Sequence, residues 1–90
     1  MTSVRVIVSG RVQGVWYRAW TEEQAVSRGL SGWVRNQTDG TVEAVFSGPD
    51  ESVASMLEAA RTGPRLARVD YIGTEPCDPP ADGFVKRPTE

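Results

Sequence analysis

Residues 4–9 (VRVIVS) place Val4, Val6 and Val8 on one face and Arg5, Ile7 and Ser9 on the other, the period-two pattern of a half-buried strand. Residues 18–29 (RAWTEEQAVSRG) suit a helix, with Ala19, Glu22, Val26 and Leu30 at helical spacing and Gly29 as its stop. Two further strands, 31–36 (SGWVRN) and 41–47 (TVEAVFS), flank an Asp39-Gly40 turn that predicts a tight hairpin. In the second of these, Val42, Ala44 and Phe46 share a face against Glu43, Val45 and Ser47. Gly48-Pro49-Asp50 opens a second helix with Pro49 in its first turn, and Val53, Met56, Leu57 and Ala60 form its apolar stripe. Residues 67–74 alternate again, placing Val69 and Tyr71 opposite Asp70 and Ile72. A stiff loop with three prolines (residues 76–80) follows, and residues 84–87 return as a short last strand.

The resulting order, β-α-β-β-α-β, is the ferredoxin-like α+β sandwich: an antiparallel sheet with two helices on one face. Ninety residues hold one such domain, read here as spanning 1–90. That fold hosts unrelated functions, so function must be read from a site.

Composition narrows the chemistry more than the fold does. The formal charge is −2, from ten basic and twelve acidic residues, which argues against a nucleic-acid partner. No apolar run is long enough to span a membrane and no secretory leader is evident, so a cytoplasmic location without membrane association is expected. There is no histidine and a single cysteine, Cys77. Catalysis through Ser-His-Asp or Cys-His pairs, histidine-ligated metals and disulfides are thereby removed together. What remains is chemistry by Arg, Lys, carboxylates, amides, hydroxyls and backbone.

One segment concentrates such groups. SGRVQGVWYR (residues 9–18) carries Gly10 and Gly14 between the first strand and the first helix, and ends on Arg18. A glycine-rich strand-to-helix loop can turn several N–H groups toward one anion at the helix N-terminus. Arg18 can then clamp two phosphate oxygens. The segment lacks the Gly-Lys-Ser/Thr of a nucleotide P-loop and the dinucleotide fingerprint, so ATP and NAD are not expected.

VSGRVQGVWYR (8–18) resembles the first signature of the acylphosphatase family, and GWVRNQTDGTV (32–42), continuing to Gly48, resembles its second. The likeness covers nearly the whole chain, weakening only from about Thr74 onward, and departs at Tyr17, where the family commonly carries Phe; an added hydroxyl beside the loop is expected to change little. The resemblance implies a hydrolase of acid anhydrides that cleaves acyl phosphates to a carboxylate and inorganic phosphate, with no metal or other cofactor. It implies that the backbone of Gln13, Gly14, Val15, Trp16, Tyr17 and Arg18 binds the phosphate. Arg18 clamps it, and Asn36 orients the attacking water. The implied partner is a small-molecule acyl phosphate, and the protein is expected to be a free-standing monomer.

Other readings carry less. A nucleic-acid-binding module of this fold needs sheet-face aromatics and a basic face, neither of which is visible. A catalytically silent regulatory module would not require Arg18 and Asn36. Trp16 and Trp20 are expected to pack partly against the sheet edge and Trp33 in the core. Glu22 and Glu23 are placed in the first helical turn, where the macrodipole favours them. Cys77 is incidental, and Arg61, Arg65 and Arg68 are solvated around a Gly-Pro turn.

Overall fold

The computed structural model describes residues 1–90. It contains β1 (Thr2–Arg11), α1 (Tyr17–Ser27), β2 (Ser31–Asn36), β3 (Val42–Gly48), α2 (Asp50–Thr62), β4 (Arg68–Pro76) and β5 (Phe84–Lys86). The strands form one sheet in the order β4-β1-β3-β2-β5. The first four pair antiparallel, whereas β5 runs parallel to β2, so the sheet is mixed at that edge. No helix is long and apolar enough to cross a membrane.

The alternation read from β1 and β3 decides which face carries the helices. Val6, Val8, Val42, Ala44 and Phe46 are buried together with Val34, Ala25, Val53 and Met56. Burial of each Val, Phe and Met side chain among them contributes roughly 1.5–3 kcal/mol. All of β3 is buried, because it is the central strand. On its far side from the helices, Glu43 is 3% exposed. Arg5 (2.5 Å) and Arg35 (2.6 Å) pair with it there, and in turn reach Glu75 (2.8 Å) and Glu90 (2.5 Å). An alternating row of charges thus crosses the sheet from β4 to the segment after β5.

Several expectations are corrected. In α1 the buried residues are Tyr17, Thr21 and Ala25, and Val26 is 60% exposed. The preceding loop sets this phase: Val12 and Val15 plug into the core, so Tyr17 enters next and the buried face follows at four-residue steps. Trp20 packs partly against the core and Trp16 stands exposed. In β4, Gly10 pairs with Val69 and Ser9 with Tyr71, which leaves Asp70 as a bulge. Val69 and Ile72 therefore both turn to the core, while Tyr71 faces solvent. Gly10 permits this: its φ is +126° and a Cβ there would strike the Arg68 carbonyl. Trp33 is on the helix-free face, since Gly32 and Val34 take the other, and the guanidinium groups of Arg35 (4.9 Å) and Arg87 (4.5 Å) each pack over its ring. Finally, no acidic residue lies in the first turn of α1, so Glu22 and Glu23 fall in the second; Pro49 caps α2 rather than lying in its first turn.

Candidate active site

The loop between β1 and α1 is held from three sides. Val12 and Val15 are buried, at 1% and 3% exposure. The Gln13 amide nitrogen donates to the carbonyls of Gln37 and Thr41, each at 2.8 Å, tying the loop to the β2–β3 hairpin. The Tyr17 hydroxyl donates to the Ala60 carbonyl of α2 at 2.7 Å. Ala60 cannot receive an N–H from the residue four positions on, because that residue is Pro64. The tyrosine hydroxyl fills that place, so it links the loop to α2 rather than sitting idle beside it. Burial pushes the Tyr17 phenol well above its ordinary pKa.

Between these anchors the backbone alternates in handedness. Gly14 has φ +72°, and Trp16 has φ +66° and ψ +19°, the only non-glycine residue with positive φ. Such a conformation costs a bulky L-residue about 1–2 kcal/mol. Alternation of this kind turns successive N–H groups to one side. No N–H from Gln13 to Ala19 donates to a protein acceptor; the first to do so is that of Trp20, to the Trp16 carbonyl at 2.9 Å. The loop therefore presents a set of free donors at the positive end of α1.

These donors border a cavity of about 260 Å³. Gly14, Trp16, Tyr17 and Arg18 line one wall, and Asn36 and Lys86 come from the β2–β5 side. Arg18 and Asn36, far apart in sequence, thus meet in one cavity, whereas Gln13 and Val15 do not line it. Gln13 is turned to the hairpin and Val15 to the core, so what they can offer an anion is their backbone N–H. Arg18 donates through Nη1 to the Arg87 carbonyl at 2.8 Å and pairs with no carboxylate, which leaves its full charge for a ligand. The Asn36 side chain makes no hydrogen bond within the protein, while the Asn36 backbone carbonyl accepts from the Glu90 N–H at 3.1 Å. No carboxylate or thiol lines the cavity, and no cluster of His, Cys, Asp and Glu suited to a metal ion exists in the molecule.

Sequence reading missed three parts of this site: the side-chain tether of Gln13, the Arg87 carbonyl that orients Arg18, and Lys86. Only Lys86 left a signal, since alternation in the last strand puts it on the same side as Phe84. Cys77 takes no part; burial and the nearby charges of Asp78 and Glu75 push its thiol pKa up.

A ferredoxin-like α+β protein with a loop of free N–H donors, two cations and a free amide around one cavity is the class that fold and site define. The sequence model of the Acylphosphatase family matches residues 4–86, and the chain belongs to that family. It is 52% identical over 90 residues to an acylphosphatase of Rhodospirillum rubrum, covering 99% of both chains. It is 56% identical over 81 residues to one of Azorhizobium caulinodans, covering 90% of this chain and 87% of the other. The crystal structure of acylphosphatase from Bacillus subtilis superposes with a TM-score of 0.92 at 35% identity, covering 97% of this chain and 99% of that one. Acylphosphatase activity follows from this membership.

Proposed function

We propose that the backbone from Gln13 to Arg18 holds the phosphoryl group of a small-molecule acyl phosphate, that Arg18 clamps it, and that Asn36 orients the water that attacks it. The observation that carries this reading is the shared cavity: free N–H donors and an unpaired guanidinium face an amide with no other partner. The water oxygen forms a bond to phosphorus as the bond between phosphorus and the acyl oxygen breaks. The carboxylate leaves with the electron pair, and the water's proton passes to a phosphoryl oxygen. A carboxylate is stable without protonation, so no general acid is required. What the reaction needs is positioning and stabilisation of charge spread over the phosphoryl oxygens. Backbone N–H groups and an arginine supply this without changing protonation state.

Hydrolysis of benzoyl phosphate in the presence of EDTA tests the assignment. Arg18→Gln is expected to lose at least about 10²-fold in kcat/KM, the cost of removing a preorganised charge-stabilising donor. Asn36→Ala is expected to lose mainly kcat, because it leaves the phosphate contacts in place. Turnover by Arg18→Gln equal to that of the unmodified chain refutes the clamp. Near-normal turnover by Asn36→Ala removes water positioning from the mechanism.

A further inference from the structure

Lys86 ends β5 and sits beside Val34 in the parallel β2–β5 pair. Val34 is fully buried against the helices, so Phe84 and Lys86 take the helix side of β5 and Val85 the other. The Phe84 ring stacks on Phe46 in the core at 5.8 Å. One step further toward the rim, Lys86 reaches the cavity that holds Arg18 and Asn36. It has no ion-pair partner: the carboxylates on the sheet engage Arg5, Arg35 and Arg68. The cavity thus contains two full positive charges and no negative one.

The two cations are not equivalent. Arg18 springs from the first turn of α1 among the free N–H groups and is held by the Arg87 carbonyl, whereas Lys86 comes from the end of β5 and has no hydrogen-bond or ion-pair partner. A phosphoryl group seated on the loop and Arg18 leaves its acyl substituent to extend along the remaining space. At about 260 Å³ the cavity is below the roughly 300–1,000 Å³ typical for a drug-sized ligand, which suits a short acyl chain. With no fixed partner, the flexible four-carbon stem of Lys86 lets its ammonium reach a group within that space, whereas Arg18 is tied to the Arg87 carbonyl.

We propose that Lys86 is a specificity-determining residue that favours acyl phosphates bearing a second anionic group on the acyl side. The proposal rests on the assignment of the loop and Arg18 to the phosphoryl group. Because Lys86 is exposed, its preference is modest: ion pairs in such settings are worth a few-fold in an equilibrium constant, and salt weakens them.

The test compares kcat/KM for succinyl phosphate, which carries a distal carboxylate, with that for benzoyl phosphate, which carries none. The full chain, Lys86→Met and Lys86→Arg are measured at low ionic strength and again at about 0.5 M salt. The succinyl-to-benzoyl ratio is expected to fall about three- to five-fold in Lys86→Met and to persist in Lys86→Arg. The difference between the full chain and Lys86→Met should shrink at high salt. An unchanged ratio overturns the proposal, and is what a lysine serving only to keep an edge strand from pairing would give. Equal losses on both substrates also overturn it, by placing Lys86 on the phosphoryl group instead. Failure of the unmodified chain to hydrolyse either substrate overturns the acyl-phosphate assignment itself, and this proposal with it.

Discussion

Tyr17→Phe removes one oxygen atom and tests how the loop is anchored. In the protein that oxygen is 2.7 Å from the Ala60 carbonyl, and the tyrosine is 2% exposed. The ring itself should keep its place: Gly63 lies against it, so closely that a Cβ there would meet Tyr17 Cε2 at 2.8 Å. Ala60 is 1% exposed, and Pro64 offers no N–H in place of the hydroxyl. Leaving a buried acceptor without its donor costs about 1–3 kcal/mol. For a domain of this size each kcal/mol moves Tm by roughly 4–8 °C, so a loss near the middle of that range lowers Tm by roughly 10 °C. Thermal unfolding followed by circular dichroism at neutral pH measures it.

An alkaline arm sharpens the test. The folded phenol has a pKa raised above the ordinary value of about 10, so the folded chain keeps its proton where the unfolded chain loses it. The stability this contributes is complete below pH 10 and is lost as pH rises through the higher folded value. Tyr17→Phe lacks that contribution, so the gap between the two proteins should narrow above pH 10. A Tm shift below about 2 °C at neutral pH, equivalent to under roughly 0.5 kcal/mol, refutes the pairing with Ala60 as an anchor.

Two other substitutions probe the supports of the site. Gln13→Glu sets a carboxylate oxygen against the Gln37 and Thr41 carbonyls and removes both donated bonds. A loss of about 2–3 kcal/mol in urea unfolding is expected, with a fall in kcat on benzoyl phosphate; unaltered stability would show that the tether is dispensable. Glu43→Ala deprives Arg5 and Arg35 of their shared buried partner while leaving them Glu75 and Glu90. A cost of about 2–3 kcal/mol is expected, below the roughly 3–5 kcal/mol of a pair wholly out of water, and a urea midpoint unchanged in Glu43→Ala would contradict it.

The element order was legible in the residues because β1, β3 and α2 each carry an apolar pattern with one clear period. Where the pattern was weak, neighbours decided. The apolar stripe of α1 was thin, and its burial followed the phase imposed by Val12, Val15 and Tyr17 rather than the spacing of Ala19 and Val26. In β4 the alternation was clear but misleading, because the bulge at Asp70 shifts every later side chain by one position. No local residue announces that shift; it arises where Gly10 lets two backbones approach. Trp33 follows the parity of Gly32 and Val34, which turns it to the helix-free face although its size and hydrophobicity would suit the core.

The glycine loop, its arginine, the absence of histidine and the second motif around Asn36 pointed to the family and its activity from the sequence alone. These are local features of residue type and spacing, and a single chain displays them before it folds. Only the tertiary structure brought Asn36, Lys86 and the Arg87 carbonyl to the cavity of Arg18, and joined Tyr17 to Ala60 and Gln13 to the hairpin. Those contacts depend on the parallel register of β5 against β2 and on the way α1 lies against the sheet. Both are set by packing between segments distant along the chain, where no local pattern carries the information.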